Sequence, residues 1–105
     1  MTDKRIVLST AGSQDEAGKL ARHLVENQLA ACVNIIPHIE SIYRWQGKME
    51  SSTEWLLLIK TTQKKFPAVR DAIRQLHSYE LPECISLAIG DGSAPNLDWI
   101  AQSVK

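Results

Sequence analysis

Short apolar runs alternate with amphipathic stretches along the chain. KRIVLST (4–10) is a compact apolar run ending before Gly12, and it predicts a strand. Ser13-Gln14-Asp15-Glu16 has the spacing of a capping box, with Ser13 accepting from the Glu16 N–H and Glu16 reaching back. Behind it Ala17, Leu20, Ala21 and Leu24 repeat at helical spacing, so a helix should run to about Gln28. ACVNII (31–36) predicts a second strand broken at Pro37, which has no N–H for a ladder. Alternation then resumes over 39–46, with Ile39, Ser41, Tyr43 and Trp45 on one side and Glu40, Ile42, Arg44 and Gln46 on the other. Gly47 to Ser52 reads as a polar loop, and TEWLLLIKT (53–61) as the strongest strand, completing a long hairpin. A second helix starts between Thr62 and Lys65, because Pro67 fits only a first turn, and presents Phe66, Val69, Ile73 and Leu76 on one face. His77 stands at its end, and Pro82 pushes Leu81 into an extended conformation. ECISLAIG (83–90) predicts the fourth strand. Ser93 then caps a short helix with Pro95 in its first turn and Leu97, Ile100 and Val104 on its face.

The order is βαββαβ plus a terminal helix, an α+β pattern of the ferredoxin-like sandwich kind in a single domain, 1–105. Its usual strand order, 4-1-3-2, puts the strands of Cys32 and Cys84 at opposite edges. Three strand spacings, about 14 Å in all, separate those edges, which argues against an intrachain disulfide. Trp55, Leu57 and Ile59 point to one face of the 53–61 strand, and Leu56 and Leu58 to the other. Two helices cover only one face. Either the terminal helix closes the second or several subunits pack there, and an obligate homo-oligomer is the expectation. Tyr43 and Trp45, on the continuation of an edge strand, add to that expectation.

Charge narrows the partners. Lys plus Arg and Asp plus Glu are both 12 in 105 residues, so the formal net charge is zero and a nucleic-acid partner is not expected. The N-terminal MTDKRIVLST lacks the pattern of a secretory signal, and no stretch approaches the ~20 apolar residues of a membrane span. A cytoplasmic protein with no membrane partner and two free thiols is the resulting expectation.

The densest chemistry is LHSYELPECI (76–85), with His77, Glu80, Glu83 and Cys84 as possible metal ligands. Glu83 and Cys84 point to opposite sides if the strand has begun. His77 also has a structural use, since an imidazole at a helix C-terminus meets the last carbonyls and the dipole. A ligand cleft lined by Tyr43, Trp45, Lys60, His77, Tyr79 and Glu80 is the other candidate, with a Lys60 ion pair to Glu80 or Glu83 as the plainer role of that lysine. GDGS (90–93) has no nearby lysine and Asp91 would repel a phosphate. No nucleophile–base pair announces an enzyme. The aromatic, basic central strand of an RNA-recognition module is absent from EWLLLIK.

LAACVNIIP (29–37), SIYRWQGKMESSTEWLLLIKTT (41–62) and HSYELPECISLAIGDGS (77–93) resemble, in order and spacing, the CutA family of divalent-cation tolerance proteins. The resemblance implies a ferredoxin-like protomer, a tight PII-like homotrimer, and a cytoplasmic, non-catalytic role in tolerance of copper and other divalent metals. Some members are associated with copper through a cysteine and adjacent histidines. The matching positions here are Ser9 and Leu76-His77, of which only His77 carries a metal-binding side chain. Copper or zinc is thus the candidate metal. A PII-like trimer binding a small effector, and an assembly scaffold without a ligand, are the alternative readings.

Overall fold

The computed structural model describes residues 2–105. Its elements are β1 (Lys4–Ala11), α1 (Gln14–Glu26), β2 (Cys32–Trp45), β3 (Lys48–Thr62), α2 (Phe66–Leu76), β4 (Ile85–Ala88) and α3 (Ala94–Ser103). The four strands form one antiparallel sheet in the order β2-β3-β1-β4, the arrangement expected for a ferredoxin-like α+β sandwich.

Alternation along the central strands decides which residues meet the helices. Val7 and Ala11 of β1 and Leu57 and Ile59 of β3 share a face and pack with Ala17, Leu20 and Leu24 of α1 and Val69, Ala72 and Ile73 of α2. Each large side chain buried there contributes about 1.5–3 kcal/mol relative to exposure. Thr61 continues this face, and its hydroxyl donates to the Leu29 carbonyl at 2.6 Å, tying the end of β3 to the loop entering β2. On the opposite face α3 packs against β3 and β1, and Ile100 and Val104 meet Ala31 in a second, small cluster. The rest of that face is not covered: Ile36, Ile85 and Leu87 are 42%, 49% and 47% exposed.

Several expectations need correction. The stretch 47–52 is not a loop, because β3 starts at Lys48 and pairs with β2 out to Trp45↔Lys48. Gln46 and Gly47, both at positive φ (51° and 80°), make the tight turn, whose twist suits a two-residue hairpin. KMESST carries no apolar alternation because the projecting arm has no core to face. At Pro37 the outcome agrees with the expectation of a break followed by resumed alternation: β2 continues through an irregularity between Ile36 and Ile39. β4 is shorter than 83–90, and Leu76, expected on the buried face of α2, is 48% exposed in its last turn. Ser13 accepts from the Glu16 N–H as expected, but the Glu16 carboxylate reaches Ser78 rather than back to the cap. Ser93 occupies the N-cap of α3 without a side-chain cap bond.

The irregularity has a large effect. Ile36 pairs with Leu56 and Ile39 with Glu54, so three steps along β2 oppose two along β3. His38 absorbs the extra residue at φ 56°, with its ring 5.1 Å from that of Trp55. One inserted residue inverts the facing of everything beyond it. Tyr43 and Trp45 therefore point to the face of Leu56 and Leu58, away from the helices. His38→Ala and His38→Gly both remove the ring, so their difference reports the left-handed backbone alone. The alanine variant is expected to be less stable by about 1 kcal/mol, read from urea midpoints.

Candidate functional site

A cleft of about 760 Å³ opens between the arm and the segment joining α2 to β4. Ser41, Tyr43, Trp45 and Glu54 line it from the arm, Thr10 from the end of β1, and Tyr79, Glu80, Leu81, Glu83 and Ile85 from the connecting segment. The bulge supplies the arm's aromatics. The placement of Tyr79 needs a separate explanation, and His77 provides it.

His77 ends α2, where its N–H bonds the Ile73 carbonyl and its backbone becomes extended. Its side chain is fully buried. Nε2 lies 2.6 Å from the Thr10 carbonyl oxygen and Nδ1 accepts the Tyr79 N–H at 3.0 Å. The carbonyl can only accept and the amide can only donate, so the ring is the neutral Nε2–H tautomer. One imidazole thereby clamps the end of β1 to the turn after α2. Glu16 of α1 reinforces the same turn, its Oε2 accepting the Ser78 N–H at 2.9 Å. Burial raises the Glu16 pKa, but the bonds from Ser78 outweigh it, holding the carboxyl below its ordinary value of 4.5.

Tyr79 stacks at a tilt on His77, ring centres 4.5 Å apart, and extends over Gly12. A Cβ at Gly12 would lie 3.0 Å from the Tyr79 hydroxyl, so the absence of a side chain there makes room for it. The hydroxyl donates to Oε2 of Glu54 at 2.8 Å. Burial, and then the Glu54 carboxylate, push the Tyr79 phenol far up, so it remains a donor throughout the working pH range. Cys84 packs against the main core, and burial raises its thiol pKa. It and Cys32 are both free thiols.

Of the six residues suggested for a cleft, the structure brings together Tyr43, Trp45, Tyr79 and Glu80. His77 lies beneath Tyr79 as a support. Lys60 is not part of the cleft and pairs with neither Glu80 nor Glu83; its ammonium donates to Oδ1 of Asn34 at 2.7 Å on the neighbouring strand. Glu54 and Thr10 were missed. Strict alternation from Leu56 and Leu58 places Glu54 on their face, and a carboxylate there was the available signal.

A copper or zinc site does not fit these residues. Both ring nitrogens of His77 are engaged, Leu76 offers only an alkyl group, and Ser9 is buried with its hydroxyl unpartnered among the helix-facing residues. Among the described residues no three His, Cys, Asp or Glu side chains are grouped to hold an ion.

Together these features define a ferredoxin-like sandwich with a projecting hairpin and an aromatic, acidic cleft at its base. The sequence profile described as CutA1 divalent ion tolerance protein matches residues 5–103, and the chain belongs to that family. It is 44% identical over 100 residues to the divalent-cation tolerance protein CutA of Thermus thermophilus, covering 95% of this chain and 97% of that one. It is 48% identical over 95 residues to the CutA homolog of Xenopus laevis, covering 90% of this chain but 63% of the frog protein. The solved Thermus structure superposes with a TM-score of 0.95 at 43% identity, covering 97% of this chain and 99% of that chain. CutA from Xylella fastidiosa gives a TM-score of 0.96 at 38% identity, covering 99% and 100%.

The Glu16 clamp makes a testable contribution to stability. Because its folded pKa is depressed, the stabilisation is complete above the ordinary value of 4.5 and is lost as pH falls through the lower folded value. Glu16→Ala should cost about 1–3 kcal/mol at pH 7 in urea unfolding. The gap between variant and wild type should close progressively below pH 4.5.

Proposed function

We propose that the protein acts in divalent-cation tolerance as a non-catalytic, PII-like homotrimer in the cytoplasm, and that its cleft binds a small ligand beside a subunit boundary. The uncovered second face carries this reading: Ile36, Ile85 and Leu87 share it with Leu56 and Leu58, while α3 reaches only part of the sheet. Burying such a face against further copies is the ordinary solution for a sheet apolar on both sides. The open edges of β2 and β4 offer backbone groups for the same purpose. The number three is what the resemblance to the family implies. Among the described residues no helix is long and apolar enough to cross a membrane. Relatives are named as chloroplastic in Arabidopsis thaliana and periplasmic in Archaeoglobus fulgidus, so cell fractionation decides the compartment.

In this reading tolerance does not run through a copper or zinc ion held by His77, whose ring serves the scaffold. The small-effector role is favoured over a ligand-free scaffold by the cleft itself, which combines aromatic walls with a few placed polar groups. Native mass spectrometry of the isolated protein should give three chain masses without a stoichiometric metal. A monomer at micromolar concentration would refute the assembly. A thermal-shift panel of metals, nucleotides, organic acids and organic amines tests the cleft, and an unchanged melting temperature across all of them would refute ligand binding.

A further inference from the structure

The lining of the cleft is chemically one-sided. Its charged side chains are Glu54, Glu80 and Glu83, and no Lys, Arg or His among the described residues lines it. Glu54 is the telling member. It is 7% exposed, and its hydrogen-bond donor is the Tyr79 hydroxyl. No ion pair to it is formed among the described residues. A carboxylate buried to that degree ordinarily has a cationic partner, because one neutral hydroxyl replaces little of its lost hydration. Tyr43 and Trp45 stand across the same cleft, 43% and 39% exposed. Aromatic faces attract a cation through their quadrupole and strengthen that attraction where water is excluded. Among the described residues no three His, Cys, Asp or Glu side chains are grouped to hold a metal ion, so the carboxylates of this wall are not arranged as a chelate.

We propose that the cleft is a receptor for a small organic cation of the alkylammonium class, with Glu54 as the charge anchor and Tyr43, Trp45 and Tyr79 as the enclosing aromatic walls. Tyr79 holds the anchor carboxylate in place from one side, leaving the cleft side to the ligand. The bulge at Pro37-His38 is essential to this arrangement, because it turns Tyr43 and Trp45 to the face that Glu54 occupies. This inference rests on the reading of the cleft as a ligand site and adds the charge and chemical class of the occupant.

A matched pair of probes isolates the charge. (2-Hydroxyethyl)trimethylammonium and 3,3-dimethylbutan-1-ol have the same shape, carbon replacing the charged nitrogen, and 4,4-dimethylpentanoate supplies the opposite charge. In calorimetry on the full chain in its native assembly, the ammonium should bind, the alcohol about tenfold or more weaker, and the carboxylate not at all. Glu54→Gln should weaken the ammonium about tenfold while leaving affinity for the alcohol unchanged. Trp45→Leu, on the exposed arm, serves as a second variant in case Glu54→Gln fails to assemble, and should weaken the ammonium by a similar factor. Equal binding of ammonium and alcohol, or full ammonium affinity in a folded Glu54→Gln, would overturn the proposal. Binding of the carboxylate without the ammonium would overturn the assigned charge yet leave a ligand cleft standing. No response to any probe, together with a flat thermal-shift panel, would overturn both.

Discussion

Everything in this protomer depends on β3 being apolar on both faces. Leu57, Ile59 and Thr61 are buried under α1 and α2, while alternation forces Leu56 and Leu58 to the opposite side. The chain has too few helices to cover both. α3 closes part of the second face through Ile100 and Val104, and the remainder must find cover elsewhere. The projecting arm extends that same open face, so the uncovered apolar surface and the cleft both belong to one unbalanced sheet.

Two local devices convert this sheet into a site. The single extra residue at Pro37-His38 changes which face Tyr43 and Trp45 occupy, at the cost of a left-handed conformation at His38. The His77 ring, with one nitrogen donating to Thr10 and the other accepting from Tyr79, fixes the turn after α2 against the end of β1. Tyr79 is thereby delivered over Gly12 to Glu54. Neither device touches the space where a ligand would sit. Histidine acts here as a two-sided hydrogen-bonding strut, a use that depends on its being neutral.

The family likeness covers nearly the whole chain, yet the positions associated with copper in some members carry a serine and a leucine, and the remaining histidine is committed.

Much of the fold was legible from local pattern. The apolar runs, the Ser13 cap and the faces of α1 and the central strands follow from periodicities that a folded core must respect. The 47–52 segment was not legible, because an arm with both faces outside the core leaves no alternation to read. Leu76 misled for a related reason: helical spacing identifies a face but does not say how far along it the core extends. Of the cleft, sequence supplied the aromatics and Glu80, and it also singled out His77 within 76–85. Only the tertiary structure placed Glu54 against Tyr79, turned Lys60 to Asn34 instead of a glutamate, and buried the His77 ring. Those decisions rest on contacts between residues far apart in the chain, such as Thr10 with His77 and Glu54 with Tyr79. Periodicity along a sequence carries no information about which distant neighbour a side chain will meet.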